Sequence, residues 1–398
     1  MPSDLVPGVY VQEVSGGARP IEAVGTSTAG FVGEAPKIAA HVNQAVPINN
    51  WSEFVREFVD EKSSSTPLYQ AVYGFFQNGG SRCYVVNVGK GGQIGGGGLQ
   101  PVGLDLLAQI DEIAIIAAPG YTDAASYARV LEHCEQLEDR VAILDGPEKV
   151  ADISQLTKVA TTGGGDDEPA GAKGMAPRQS AGGYGAVYYP WIKARNSLAP
   201  YDEISVPPSG HIAGIWARTD AARGVHKAPA NEVVRGALNV THRLTRAEMG
   251  TLNQAGVNCI RLFAREGVLV WGARTLAGSS SEWRYVNVRR LFNMIKESIA
   301  DSTRWIVFEP NDYTLWKSIR RDVTAFLMGL WRDGALMGRT PEEAFFVKCD
   351  EETNPRDVID QGMVVTLIGI APVKPAEFIF FRISQYQGGV EVKTEGGA

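Results

Sequence analysis

The chain has 398 residues, 44% hydrophobic and 21% charged, so it can bury a large core and is long enough for two or three domains. Its formal charge of −7 comes without a long basic run, which excludes the electrostatic footprint of a nucleic-acid-binding protein. The start MPSDLVPGVY has no basic patch before an apolar run, and the most apolar stretches are too short to span a bilayer. We therefore expect neither a classical secretion signal nor membrane insertion. The four cysteines lie far apart without a CxxC pair, which argues against a disulfide framework and fits a reduced cytoplasmic setting.

The first 22 residues are predicted to form an extended arm. In PGVYVQEV the side chains alternate with the period of two that is typical of a strand, and two glycines follow as a joint. A strand isolated by such a joint has no local partner for its N–H and C=O groups. The arm strand and its hinge comprise Val9, Tyr10, Val11, Gln12, Gly16 and Gly17.

The C-terminal end, residues 378–398, has the same arrangement. After the expected hinge residues Pro372 and Pro375, the run EFIFFRISQY favours a strand and ends in two glycines and a polar tail. The predicted arm strand comprises Phe378, Ile379, Phe380, Phe381 and Ile383. From alternation alone, each terminal strand could equally pair within its own chain.

Between the arms, strand and helix patterns alternate. Two apolar helical faces, within residues 51–58 and 68–76, precede the strand RCYVVNV. The strand DEIAIIAAP, a helix from about 123 to 139 and the strand RVAILDG then form a βαβ unit, which implies a parallel pair with a right-handed crossover. The pattern predicts an α/β protein.

Two glycine-rich segments interrupt this pattern. GGQIGGGG (91–98) has neither the spacing of a phosphate-binding loop nor a helix opening from it, so we expect a flexible linker. Residues 161–185 combine many glycines with low hydrophobicity and predict an exposed, mobile insertion.

After Val257 the segments NCIRLF and VLVWGA predict a hairpin. An amphipathic helix over 288–299 leads to an expected strand, RWIVFEP. Asn311 or Asp312 is predicted to cap the next helix, which extends to about residue 333.

The sequence offers little material for catalysis. There is no GxSxG elbow, and His211 is expected to be a helix cap or a surface residue. The carboxylate clusters at 166–168 and 350–352 are contiguous and lack the spacing of a metal cage. We therefore predict no catalytic residues, no cofactor and no metal.

A basic face on the 312–333 helix is the remaining candidate contact. Lys317, Arg320 and Arg321 lie at i, i+3 and i+4, opposite the apolar stripe. Such a face is either solvated or placed against an acidic partner.

Taken in order along the chain, these blocks resemble the tail sheath proteins of contractile phage tails, pyocin-type particles and extracellular contractile injection systems. PGVYVQEV resembles the family's opening arm, YGFFQNGGSRCYVVNV its first helix-to-strand passage, and residues 206–232 its central block. The later blocks are GVNCIRLFAREGVLVWGARTL, EWRYVNVRRLF, RWIVFEPND, GRTPEEAFFVKCD and PAEFIFFRISQ. The departures are the segments 91–98 and 161–185.

This resemblance implies an inner α/β domain, formed by the N-terminal arm and the C-terminal third, around an inner tube. The middle of the chain would form an outer α/β domain, in part a subtilisin-like scaffold without catalytic residues. The expected division is arm 1–22, outer domain 23–256, inner domain 257–377 and arm 378–398.

The resemblance also implies partners. Neighbouring copies would exchange arms to build hexameric rings or a helical sheath, with the inner tube protein, baseplate and terminal cap proteins as further partners. The basic face would contact the tube, and assembly would occur in the cytoplasm as part of a phage-tail-like particle. The rival interpretations are a hydrolase with an unrecognised site and a non-contractile shell or baseplate protein.

Overall fold

The computed structural model describes residues 20–96, 98, 100–161, 174–199 and 201–380. In these ranges the chain forms fourteen strands, β1 to β14. In chain order they are Ala29–Gly33, Ala45–Ile48, Cys83–Asn87, Ile115–Ala117, Val141–Asp145, Gly185–Tyr189, Ile192–Arg195, Glu203–Val206, Glu232–Val233, Ala237–Val240, Val257–Phe263, Gly267–Trp271, Phe345–Lys348 and Leu367–Ile370.

The same ranges contain nine α-helices, α1 to α9, and three short 3-10 helices. The α-helices are Trp51–Phe58, Pro67–Gln77, Ala124–Leu137, Ser209–Arg223, Arg246–Gln254, Val286–Ser302, Tyr313–Arg332, Pro341–Ala344 and Arg356–Asp360. Among the described residues, none of the helices combines the length and the hydrophobicity that a membrane span requires.

Polar residues fix several helix starts. The side chains of Asn50, Thr66, Asp123 and Asp312 each accept a hydrogen bond from a backbone N–H in the first turn of α1, α2, α3 and α7. Such caps satisfy N–H groups that have no partner within the helix. The predicted cap at Asp312 is therefore confirmed.

The main sheet has nine strands in the order β2-β3-β1-β4-β5-β6-β11-β12-β9. The strands from β3 to β11 are parallel to one another, whereas β2, β12 and β9 join antiparallel at the edges. The predicted βαβ unit is confirmed as β4-α3-β5, and the predicted hairpin as β11-β12. A separate antiparallel sheet has the order β10-β7-β8.

Both faces of the main sheet are buried, because successive strand residues enter different cores. Phe31 and Val85 lie in one core with residues of α1, α2 and α4. Val32 and Val86 lie in the other, with residues of α3 and α5. Helices on both faces explain why these strands are almost continuously apolar. The α/β class predicted from the sequence is confirmed.

A third core lies in the C-terminal part of the chain. Leu291 of α6, Trp316 and Val323 of α7, and Phe345 of β13 pack together there, and Ile21 from the N-terminal end joins them. Strands β13 and β14 form a two-stranded antiparallel sheet on this core. The connection between them contains α9, and the pair is called the β13-β14 hairpin below. The start of the described chain is therefore built into the C-terminal unit.

The strand expected at RWIVFEP is wrong. Arg304–Ile306 forms a 3-10 turn, the N–H of Val307 bonds back to the carbonyl of Arg304, and Phe308 has a left-handed φ of 72°. The segment is a short connection between α6 and α7. In the described ranges it pairs with no strand through backbone hydrogen bonds. Tertiary context overrides its β propensity.

The two glycine-rich segments are also more ordered than expected where the structure describes them. Ile94 is buried, its carbonyl accepts a hydrogen bond from Leu104, and Gly91 N donates to Glu34. In the second segment, Ala176 forms an isolated parallel β-bridge with Val159, and Ser180 is fully buried. The predicted insertion therefore extends too far, because residues 174–185 pack on the sheet.

The main sheet continues across the boundary expected between residues 256 and 257. Strand β11 begins at Val257 and pairs with β6, and β12 pairs with β9. A division at that point would separate neighbouring strands of one sheet.

Candidate assembly surfaces

Most of the predicted arm residues lie outside the described residues. This holds for Val9, Tyr10, Val11, Gln12, Gly16, Gly17, Phe381 and Ile383. Phe378, Ile379 and Phe380 are described, and they are 66%, 71% and 86% exposed without strand structure. Three consecutive exposed large apolar side chains mark a surface that a partner can cover.

The root of the N-terminal arm is fixed to α6. The N–H of Glu22 donates to Ser302 Oγ at 3.2 Å, and the N–H of Val24 donates to Ser298 Oγ at 3.0 Å. Ser298 is fully buried. The described chain is therefore anchored on α6 from about residue 22 onward.

The C-terminal segment is fixed as far as Glu377. Pro372, an expected hinge, forms a bridge with Leu336, and the N–H of Val373 donates to the carbonyl of Ala335. Pro372 is thus tied to the body of the protein and is not a free joint in this structure. Pro375 lies between these contacts and Glu377, beyond which the exposed residues begin.

Glu377 forms a bidentate ion pair with Arg274, which follows β12. Arg274 Nη2 lies 2.5 Å from Glu377 Oε2 and Nε lies 2.8 Å from Oε1, while Tyr285 Oη donates to Oε2 at 3.2 Å. Burial opposes ionisation of Glu377, but the hydrogen bond and charge of Arg274 outweigh it and hold the pKa below its usual value. This anchor joins the C-terminal segment to the main sheet.

The hairpin β13-β14 offers unpaired strand edges. Its register places Phe345 opposite Ile370 and Lys348 opposite Leu367. Within the described residues each strand pairs only with the other, so both outer edges lack a partner strand. At their ends, the N–H of Phe345 donates to the carbonyl of Pro341, and the carbonyl of Ala371 accepts from the N–H of Met337.

The basic face of α7 is at the surface, as its spacing predicts. Lys317 and Arg321 are exposed, and Arg320 is half-buried. Arg321 Nε lies 2.9 Å from Asp322 Oδ1, so part of its charge is already paired within the chain.

The expectation for His211 is wrong. It lies within α4, is 2% exposed, and its ring packs against Gly74 of α2. Nδ1 has no hydrogen-bond partner, and burial lowers the pKa of the ring to about 4. His211 is therefore a neutral packing residue at the α2-α4 contact.

Ser209 is hydrogen-bonded to a buried carboxylate, which is one part of a hydrolase arrangement. Its Oγ donates to Asp145 Oδ2 at 2.8 Å and its N–H donates to Oδ1 at 2.7 Å. Burial, against the hydrogen bonds from Gly120 and Ser209, raises the pKa of Asp145 to about 6. No histidine of the described ranges hydrogen-bonds to either residue, so the pair lacks the base of a triad. Those ranges also contain no cluster of three or more His, Cys, Asp or Glu able to hold a metal ion.

Sequence reasoning missed the Arg274–Glu377 anchor and the β13-β14 hairpin. The two anchor residues are 103 positions apart, and nothing in their local patterns couples them. The hairpin had a weak signal, since FFVK and LIGI are short β-branched or aromatic runs.

Two family models match the chain. One, described as the phage tail sheath protein central domain, covers residues 104–276. The other, the phage tail sheath C-terminal domain, covers residues 279–385. The two matches meet between residues 276 and 279, shortly after β12, which is the last strand of the main sheet in chain order.

Solved sheath structures match almost end to end. The sheath complex of an extracellular contractile injection system, PVC, in the contracted state has a TM-score of 0.75 and 29% identity, covering 97% of this chain and 99% of that one. The helical sheath of the anti-feeding prophage, also contracted, has a TM-score of 0.74 and 31% identity, covering 96% and 99%.

Curated relatives match over part of their length. The tail sheath protein of Vibrio phage KVP40 is 33% identical over 177 residues, which are 44% of this chain and 26% of that protein. A putative prophage major tail sheath protein of Pseudomonas aeruginosa is 25% identical over 68% of this chain and 64% of its own length. The chain thus spans less than two thirds of these curated relatives.

A mixed α/β fold with this likeness defines a structural protein of contractile, phage-tail-like particles. The chain belongs to the phage tail sheath family.

Proposed function

We propose that this chain is the sheath subunit of a contractile injection particle, which polymerises around an inner tube in an extended state and contracts to drive the tube through a target envelope. The observation that carries the proposal is the likeness, over 97% of this chain, to a sheath solved in the contracted state. The likeness also covers 99% of the chain in that sheath, so nearly all elements of that chain have counterparts here.

In this proposal the inner domain comprises the arms and the C-terminal unit, and the outer domain comprises the main sheet and its helices. Ile21 in the C-terminal core supports the first assignment. The meeting of the family matches between 276 and 279 supports a division after β12. A parallel sheet covered by helices on both faces is compatible with the subtilisin-like scaffold that the family resemblance implies.

Neighbouring copies are joined by arm exchange. An arm strand satisfies its own N–H and C=O groups by adding to an edge of β13 or β14 in another copy, which is β-augmentation. The open hairpin edges and the exposed residues 378–380 support this arrangement. The hinge of the C-terminal arm then lies beyond Glu377, since the segment up to that residue is fixed.

Lys317, Arg320 and Arg321 face an acidic patch on the tube. Exposed ion pairs are worth about 0–1 kcal/mol each, which suits a contact that must release during contraction. Baseplate and terminal cap proteins bind the two ends of the polymer, and assembly takes place in the cytoplasm.

Contraction needs no nucleotide in this scheme. Each copy rotates as a near-rigid body while the arms keep the polymer connected, and new contacts between outer domains supply the free energy. A gain on the order of 1 kcal/mol per copy becomes large over a long sheath because the copies are coupled. The chain itself acts as a structural protein and catalyses no reaction.

Electron microscopy of the purified chain, alone and co-expressed with its tube protein, tests the proposal. We expect hollow, ridged tubes that are wide when the chain is alone and narrower around the inner tube. Tubes of one fixed diameter would indicate a non-contractile shell or baseplate protein. Monomers or small closed oligomers under both conditions would contradict the sheath assignment and would call for a hydrolase screen.

A further inference from the structure

The β13-β14 hairpin has an apolar face in the C-terminal core and an exposed face on which Phe346 and Leu367 lie beside Gly369 and Lys348. Phe345, Val347, Ile368 and Ile370 point toward the C-terminal core and pack in it. On the opposite side, Phe346 is 53% exposed and Leu367 is 52% exposed. An antiparallel sheet with one face in solvent normally carries polar residues there, so this second face is unusual.

The chain that leads into β14 extends the same surface. Met363 and Val365 are 44% and 43% exposed, whereas Val364 between them packs in the core. The alternation places Met363, Val365 and Leu367 on one side of an extended segment. Together with Phe346, these residues form an exposed apolar surface of the C-terminal unit, which we call the outer face.

The outer face is held in place from beneath. The buried Asn354 side chain accepts a hydrogen bond from the N–H of Val365 at 2.6 Å and donates one to its carbonyl at 3.1 Å. Asn311 Nδ2 donates to the carbonyl of Met363 at 2.8 Å. Lys348, on the same side of the hairpin, is paired with Glu352 and forms a charged rim. A fixed apolar centre with a polar rim is the anatomy of a protein interface.

We propose that the outer face is an interface with a second copy of this chain, separate from the strand edges that receive the arms. The inference rests on the proposed function. Residues 378–380 are apolar at consecutive positions, so any strand they form is apolar on both faces. Adding such a strand to the hairpin enlarges the outer face instead of covering it. A strand that is apolar on both sides is typical of a sheet buried between two layers, and among the described residues this chain supplies no second layer over the outer face.

The second molecule is a copy of this chain, not the tube, because of how the contact must behave. Re-exposing apolar surface to water is unfavourable, so an apolar contact suits neighbours that stay joined through contraction. The tube must be released, and the charges on α7 suit that role. The helical sheath of a relative, built from repeated copies, supplies neighbours of the required kind.

The test is the double substitution Val365→Thr with Leu367→Thr. Threonine keeps the β preference of these positions while making the outer face polar. Leu238→Thr is the matched control, since Leu238 is 48% exposed on the short strand β10 outside the C-terminal unit. The concentration at which the purified chain forms pelletable tubes is measured with and without the tube protein, and the melting temperature is measured below that concentration.

We expect the double variant to raise the assembly concentration at least tenfold both with and without the tube, with an unchanged melting temperature, while the control assembles like the original chain. Normal tube-free assembly combined with impaired assembly on the tube would overturn the proposal in favour of the tube as partner. Normal assembly in both settings would also overturn it, and would leave the sheath function intact because the tubes themselves establish that function. A drop in melting temperature would be resolved by Phe346→Thr, which must then show the same assembly defect without unfolding.

Discussion

Arg290 on α6 and Asp220 on α4 form a buried ion pair, with Nη2 2.5 Å from Oδ2 and Nη1 2.9 Å from Oδ1. The same carboxylate accepts a hydrogen bond from Thr26 Oγ1 at 2.6 Å, and Arg290 donates to the Thr26 carbonyl at 2.9 Å. The pair therefore joins the segment at Thr26, near the start of the described chain, to α4 and α6 at one point.

Replacing Asp220 by alanine leaves the Arg290 charge buried without its carboxylate. We expect a loss of about 3–5 kcal/mol in the free energy of unfolding, because the cost of burying the charge is no longer offset. Urea unfolding followed by circular dichroism measures it. The double variant Asp220→Ala with Arg290→Met should recover much of the loss, and a double variant as unstable as the single one would contradict the interpretation.

Gly74 is required for the close contact of α2 with α4. A Cβ at this position would lie 2.2 Å from His211 Nδ1, so Gly74→Ala forces the ring or the helix to move. We expect destabilisation of about 1–3 kcal/mol by chemical denaturation. Gly250→Ala in α5 is the control, because nothing lies within 4 Å of the added methyl group and it should stabilise by about 0.5–1 kcal/mol. Equal effects of the two variants would refute the steric argument.

His211 makes stability depend on pH. Its folded pKa of about 4 lies below the ordinary 6.5, so the unfolded chain takes up a proton first as the pH falls. The stabilisation is present above pH 6.5 and is lost as the pH falls toward 4, by up to about 3 kcal/mol. Replacing His211 by glutamine removes this titration. The stability difference between the original chain and the variant should therefore shrink from pH 8 to pH 5 in urea titrations, and a constant difference would show that His211 does not titrate on unfolding.

Deletion of residues 1–14 tests arm exchange. The deleted residues precede the fixed root near Glu22, so the remaining body keeps its core and its melting temperature. We expect folded monomers in sedimentation velocity runs and no sheath tubes in electron micrographs. Contractile particles of normal appearance from this variant would remove the arm model.

Charge reversal on α7 tests the tube contact. Lys317→Glu with Arg320→Glu should impair assembly on the tube severalfold while tube-free polymers still form, because the changes lie at the surface and not in the core. The matched control is Lys193→Glu, a half-exposed lysine on β7 outside the C-terminal unit. Unchanged co-sedimentation of the α7 variant with the tube would exclude this face as the contact.

Local patterns predicted the main elements well because those elements have their own buried periodicity. The strand at Val141–Asp145 and the helix at Tyr313–Arg332 were evident from apolar spacing and a capping residue. The failure at residues 304–310 has a physical reason. Its β-branched and aromatic residues favour a strand, yet a strand requires a neighbour, and the sequence does not show whether one is within reach.

The candidate surfaces were predictable only in part. The basic face of α7 follows from helical spacing, so Lys317 and Arg321 could be placed at the surface in advance. The buried position of His211 depends on Gly74, which is 137 residues away, and the anchoring of Glu377 depends on Arg274, which is 103 residues away. Such pairings arise from tertiary packing and leave no trace in a local pattern.

In the proposed sheath, the Arg274–Glu377 anchor would determine where tension from a neighbouring copy enters the chain. Beyond Glu377 the described residues are exposed, so a pull on the C-terminal end reaches Arg274 before it reaches the hairpin. The side chain of Asn258 on β11 holds the backbone of Arg274. Its Oδ1 accepts a hydrogen bond from the Arg274 N–H at 2.7 Å, and its Nδ2 donates one to the Arg274 carbonyl at 2.7 Å. In the proposed arm exchange, load from a neighbouring copy would therefore enter the nine-stranded sheet and not the small hairpin with its four residue pairs.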